Sequence, residues 1–318
     1  TALTRTTTPV TRAGFYVQDL LHLSDKLKLL AGVRWSMQQS DAITTNYLLK
    51  DSIGKGKATA IDAFSPRFGL VYRPTKSFSA FASYSNSFAV NTGTDVNGNA
   101  LEPSIIDQFE IGVKNELFEG RLSANLTLYK IINNNLAQTA QFLADGTANN
   151  NSAIKDLTGQ TTSNGVELDI AAQPIPGLQL LAGYSYNDMR YTKTKKGKGY
   201  YFEGDRLVNT PAHTANASGF YTFQKGKAKG MKLGLSALYI GKRIGGWNNT
   251  QQQIQPNRMI AVNGYTTLDL SAGYSFKKIS LLVKASNIFN EFNYYVHENY
   301  SVNPIAPRMF TGTLSVGL

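Results

Sequence analysis

Glu167 and Asp169 share one strand face and are the nearest approach in this sequence to a hydrolytic carboxylate pair. General acid–base or glycosidase chemistry needs a second supporting cluster beside such a pair, and none stands nearby. The three histidines, His22, His213 and His297, lie far apart without metal-ligand spacing. No Ser-His-Asp arrangement stands out. There is no cysteine among the 318 residues, which excludes a disulfide framework, a zinc ribbon and a thiol nucleophile. These patterns predict no enzyme, no catalytic residue, no metal site and no resident cofactor.

The formal net charge is +11. Lysines gather at Lys193, Lys195, Lys196 and Lys198, and again at Lys225, Lys227, Lys229 and Lys232. Both groups sit in Gly-containing stretches between strand-like segments, where solvated turn charge is expected. No helix-turn-helix, zinc finger or RNA-binding aromatic motif accompanies them, so no nucleic-acid partner is expected.

Mean hydropathy is −0.24, and no run approaches the roughly 18 apolar residues of a membrane helix. A β-barrel escapes that test, because each spanning strand shows lipid only every second side chain. Such alternation recurs along the chain. Phe310, Gly312, Leu314 and Val316 alternate with Thr311, Thr313 and Ser315; Leu268, Leu270, Ala272 and Tyr274 alternate with Asp269, Ser271 and Gly273; Val166, Leu168 and Ile170 alternate with Glu167 and Asp169. The pattern predicts roughly thirteen strands, over 13–23, 27–38, 62–73, 77–88, 105–117, 121–135, 160–173, 178–192, 207–223, 231–244, 263–276, 279–292 and 308–318. Connections alternate short and long, the asymmetry of outer-membrane barrels. A soluble sandwich would have shorter strands and less one-sided loops.

Arg34, Arg67, Glu110, Lys114, Glu167, Asp169, Asp269 and Lys284 all fall opposite the apolar band. Facing lipid near its midplane each Arg or Lys would cost about 2–4 kcal/mol and each carboxylate somewhat less, so they are expected to face a bore filled by water or by protein. Trp35, Tyr72, Tyr84, Tyr129, Tyr184, Tyr186, Tyr239 and Tyr274 lie near strand ends, where amphipathic rings favour the membrane boundary. Bacterial barrels usually have an even strand number. Here the count is odd, and the first strand would begin on the outer side. The opening TALTRTTTPV also lacks a signal-peptide pattern. The sequence is therefore expected to begin inside a longer chain, with at least one strand missing.

The segments GFYVQD (14–19), LAGVRW (30–35) and FSPRFGLVYRP (64–74) resemble strand motifs of TonB-dependent transporters. So do the hairpins at 101–129 and 163–192, the GDRLVNTPAHTANASGFY stretch (204–221) and the last three strands (264–276, 283–295, 306–318). The order and spacing agree along almost the whole chain, and the siderophore-receptor branch fits best. The resemblance implies an all-β, antiparallel transmembrane barrel of about 22 strands in the bacterial outer membrane, with residues 1–318 supplying its C-terminal portion. It also implies a plug inside the barrel and a TonB box, both belonging to the absent N-terminal region, with lipid and lipopolysaccharide outside. Leu318 stands where the family usually ends in an aromatic.

The function implied is import of a ferric siderophore with TonB-coupled energy. The alternatives are an importer of cobalamin or an oligosaccharide, and a passive or structural barrel. Aromatic and Arg side chains suit ferric chelates through stacking, cation–π contact and charge-assisted hydrogen bonds. The ligand-binding residues expected in the outer loops are Tyr200, Tyr201, Phe202, Trp247, Arg243, Arg258, Tyr294 and Tyr295, with Tyr47, Phe142 and Tyr300 as further candidates. The run Tyr200-Tyr201-Phe202 leads, because three consecutive aromatics break a strand's alternation. His213, at the start of a strand, is expected to make a structural hydrogen bond.

Overall fold

The computed structural model describes residues 3–41, 44–49, 52–55, 58–157, 159–194, 201–247, 259–297 and 301–317. Thirteen strands form one antiparallel sheet in chain order: Val10–His22, Leu27–Ser40, Thr59–Tyr72, Phe78–Ala89, Ser104–Leu117, Leu122–Asn134, Gln160–Ala172, Leu178–Lys193, His213–Thr222, Lys232–Ile240, Tyr265–Phe276, Ile279–Ser286 and Met309–Val316. Every neighbour in the sheet is the next long strand in sequence, as hairpin connections dictate. No helix occurs among the described residues.

The register turns the sequence alternation into two faces. Phe68, Tyr84 and Phe109 stand opposite one another on three successive strands, as do Leu126, Leu168 and Tyr184 further along. On this outward face large apolar side chains lie open, among them Phe64, Ile111, Leu235 and Leu314. A patch so extensive marks contact with something other than water. All eight charged residues expected in the bore have the opposite parity. At the long-loop end the outward face closes with polar handles on aromatic rings. Trp35 Nε1 donates to Asp62 Oδ2 at 3.3 Å, and Tyr84 OH donates to Asp107 Oδ1 at 2.9 Å.

Tyr129 departs from the expected boundary position. Its outward neighbours Leu126 and Leu128 take the even positions, so Tyr129 faces the bore, over Gly165. A Cβ at Gly165 would come within 2.2 Å of that ring, so the close approach requires glycine.

One expected strand starts late and two end early. The segment before His213 is loop: Asn209 has φ 58° and Leu207 is buried beneath the outer loops. The run expected to 244 breaks after Ile240, and Arg243–Trp247 pairs instead with Met259–Val262. Left-handed backbone at Asn287 and Asn290 (φ 48° and 54°) ends the Ile279–Ser286 strand. Small hairpins also order the loops, pairing Ala137–Thr139 with Lys155–Leu157 and Tyr294–His297 with Ser301–Pro304. Thr4–Thr7, Thr44–Tyr47 and Ser52–Lys55 form a separate small sheet.

The thirteen-stranded sheet does not close on itself. Val10–His22 and Met309–Val316 each pair on one side only, and every residue of both is exposed. An unpaired edge presents a row of free N–H and C=O groups.

Candidate ligand-binding mouth and bore

The only buried hydrophobic cluster among the described residues lies beneath the long loops, on the bore side. Tyr191 at the end of its strand is fully buried, and Tyr201 and Leu207 pack with it. The Tyr191 and Tyr201 rings stack with centroids 4.7 Å apart. Tyr191 OH donates to Gln138 Oε1 at 2.6 Å, and Tyr201 OH donates to the Thr139 carbonyl at 3.1 Å. Two long loops are thereby latched together. The 90–103 loop joins them: Lys155 N donates to Thr94 O at 2.8 Å. At the tip of the 135–159 loop, the Thr147 hydroxyl and amide both donate to Asp145, and they hold its carboxyl below the usual carboxylate range.

A second latch centres on Arg243, which is 6% exposed. Its guanidinium donates to the Asn263 carbonyl at 3.2 Å, to Asn293 Oδ1 at 3.1 Å and to the Tyr294 carbonyl. It lies 5.6 Å over the Tyr265 ring. Asn293 Nδ2 donates to the same Asn263 carbonyl at 3.0 Å. A buried guanidinium satisfied by neutral oxygens is an effective clamp, because its fork ties several loop carbonyls at once. Asn209 N donates to Ile244 O at 2.7 Å, joining this latch to the Tyr201 side.

Of the residues expected to contact ligand, the structure brings Arg243 and Tyr294 together and places Tyr201 in the other latch. Tyr294 and Tyr295 are open, at 39% and 53% exposure, whereas Tyr201 is at 7%. Phe202 and Phe142 are half-buried, and Tyr47 is exposed. Tyr200, Arg258 and Tyr300 lie outside the described residues. Trp247 ends the Arg243–Trp247 strand. Tyr184 OH and His213 Nδ1 are 2.8 Å apart, and the His213 ring also lies against Tyr186, at 5.1 Å. Tyr191, Gln138, Tyr265 and Asn293 were not expected. An aromatic of bore parity at the outer end of a strand was the available signal for Tyr191.

Deeper in the bore, the first strands enclose a cavity of about 470 Å³ lined by Tyr16, Gln18, Arg34, Ser65, Arg67 and Ser85. Arg34 pairs in register with Ser65, and Arg67 sits two residues on, so the two guanidiniums are diagonal neighbours. Arg34 Nε donates to Ser36 Oγ at 2.8 Å. Neither arginine has an ion-pair partner among the described residues. Further round the wall Glu110 accepts from Ser83 Oγ at 3.1 Å and Gln108 Nε2 at 2.6 Å. Lys284 and Asp269 pair at 2.8 Å. The arrangement can hold anionic and polar groups.

Residues 2–288 match the family described as TonB dependent receptor-like, beta-barrel. The chain is 30% identical over 307 residues to the metal-pseudopaline receptor CntO of Pseudomonas aeruginosa, aligning 94% of this chain with 40% of that protein. It is 27% identical over 309 residues to the ferric-pyoverdine 358 receptor of Pseudomonas putida, covering 95% of this chain and 35% of that protein. Among solved structures, the pyoverdine outer membrane receptor FpvA of P. aeruginosa superposes with a TM-score of 0.75 at 23% identity, covering 98% of this chain and 42% of that chain. The ferric yersiniabactin uptake receptor FyuA of Yersinia pestis gives 0.74 at 14% identity, with 98% and 46% covered. The chain thus spans about 40% or less of the length of these curated relatives.

Proposed function

This chain belongs to the TonB-dependent receptor β-barrel family, a family of receptors rather than enzymes, and from that membership we propose that it forms the C-terminal wall of an outer-membrane importer of a ferric siderophore or related metal chelate. The observation that carries the reading is the two-faced thirteen-stranded sheet capped by latched loops. One face is apolar and open; the other carries Arg34, Arg67, Glu110, Glu167 and Asp269. The relatives aligned with nearly all of this chain include receptors for metal-pseudopaline and ferric-pyoverdine, which supports a metal-chelate cargo over cobalamin or a glycan.

In this reading the outer membrane surrounds the sheet, with lipid and lipopolysaccharide on its outward face. Nine further strands, about 22 in all, join the two free edges, and a plug fills the bore against the charged wall. Coupling to TonB resides in the absent N-terminal region. Tyr294 and Tyr295, open at the mouth, meet the chelate by stacking, and Phe202, Trp247, Tyr200 and Arg258 are further chelate contacts in this proposal. Tyr201 and Arg243 act from behind, by holding the loops that present it.

Uptake of iron-55 chelates by cells lacking the intact protein, and by cells with it restored, tests the proposal. Restored uptake of at least one ferric siderophore under iron limitation is expected. Equal uptake by both cell types for every chelate, including pseudopaline-type complexes, would remove it.

A further inference from the structure

The outward face carries a groove that runs to a lysine-rich rim. Its upper part, about 560 Å³, is floored by the small residues Gly219, Ala272 and Ala285 and flanked by Leu233, Leu270 and Val283. A second part, about 470 Å³, shares Ala272 and Val283 and continues past Tyr274 and Leu281 to Lys227 and Met231. Small side chains beside large ones leave a furrow that straight apolar chains fill by close contact.

The furrow ends at the short-turn side of the sheet, where two neighbouring turns meet. One holds Lys225, Lys227 and Lys229; the other is Lys277-Lys278. Lys232 pairs with Gly273 in register, and a Cβ at Gly230 would lie 4.0 Å from the Tyr274 ring, so the turns are adjacent. The first turn is ordered: Gly230 N donates to Phe223 O at 2.8 Å, and Met231 N donates to Ala228 O at 2.9 Å. Lys277 Nζ lies 5.5 Å over the outward Phe276 ring, which brings its charge to the lipid side. No Asp or Glu occurs between Asp205 and Asp269, or again until Glu291. The lysines at this rim therefore have no carboxylate from their own or the adjacent turn.

We propose that this furrow and its lysine rim form a binding site for an anionic phospholipid, the acyl chains lying over Gly219, Ala272 and Ala285 and the phosphate meeting Lys227, Lys277 and Lys278. The inference rests on the reading of the sheet as membrane-spanning but not on the cargo. Charge complementarity selects the occupant: a zwitterionic lipid fills the furrow and leaves the rim unneutralised. The position at the short-turn end selects a phospholipid of the inner leaflet over lipopolysaccharide.

The test uses the intact protein, purified in detergent and stripped of lipid, with phosphatidylglycerol or phosphatidylcholine added and bound lipid counted by native mass spectrometry. Phosphatidylglycerol is expected to bind at least roughly tenfold more tightly, each lysine adding about fivefold. The triple change Lys227→Gln, Lys277→Gln, Lys278→Gln abolishes the preference. Ala272→Trp fills the furrow and weakens both lipids. Equal binding of the two lipids, or a preference that survives the triple change, would overturn the proposal, as would Ala272→Trp without effect. Siderophore uptake by the same variants reports separately on the transport reading.

Discussion

The rings of Tyr191 and Tyr201 stack at an interplanar angle of 12°, and their hydroxyls reach Gln138 and the Thr139 carbonyl on a different loop. This pair converts two long excursions of the chain into one ordered rim. Removing Tyr201 as alanine should cost the latch about 3 kcal/mol through the cavity it leaves, whereas Tyr201→Phe should cost about 1 kcal/mol for one hydrogen bond. Hydrogen exchange of the 137–157 amides measures both. Similar protection in the two variants would show that the stacking carries no weight.

Arg243 makes a matching prediction for the neighbouring loops. Arg243→Met preserves much of the side-chain volume but removes the guanidinium donors to the Asn263 and Tyr294 carbonyls and to Asn293 Oδ1, leaving the Asn263 carbonyl with Asn293 Nδ2 and Asn293 Oδ1 with Tyr294 N. It should destabilise the 287–308 loop locally by about 2–3 kcal/mol. Lysine cannot reproduce the fork, so Arg243→Lys should recover only part. Limited proteolysis of that loop should rank the proteins wild type, Lys, Met, in increasing cleavage rate.

The fold was legible in these residues because its signal is local. Arg34 and Glu110 declare their face by parity alone, and a strand needs only its own residues to do so. Leu207 misled, since it continues the apolar alternation toward His213 while Asn209 turns the backbone left-handed and Leu207 packs against a residue from another strand. The latches were illegible for a related reason. Tyr201 in a run of three aromatics looks free to meet a ligand. Its burial depends on Gln138 and Thr139, some sixty residues earlier, placed there by a hairpin that sequence periodicity does not reveal. Arg243 likewise reads as an outer-loop cation until Asn263 and Asn293 close around it.

At the mouth, Tyr294→Ala and Tyr295→Ala should each weaken chelate binding by about 1 kcal/mol, from lost stacking, without changing the folded fraction. Equilibrium binding of the transported chelate to the intact protein checks this. Unchanged affinity in both would move the contact surface elsewhere.

Within the sheet, Gly165→Ala should destabilise by about 1–3 kcal/mol, because the new methyl meets the Tyr129 ring. A second change, Tyr129→Ser, should relieve that clash, so the double variant is more stable than the sum of the singles predicts. Heat-dependent gel mobility of the folded barrel in a denaturant series gives the comparison. Strict additivity would mean that the ring and the glycine do not touch.

Alternate side chains of each strand meet different surroundings, lipid on one face and the bore on the other. The absence of cysteine makes single-cysteine spin labelling along Ile279–Ser286 the direct measurement. In the membrane-embedded protein, labels at Leu281, Val283 and Ala285 should be accessible to oxygen and shielded from a water-soluble nickel reagent. Labels at Ser280, Leu282 and Lys284 should lack that oxygen signal, giving a period of two. Labels at all six positions that respond alike, or that all meet the aqueous reagent, would contradict it.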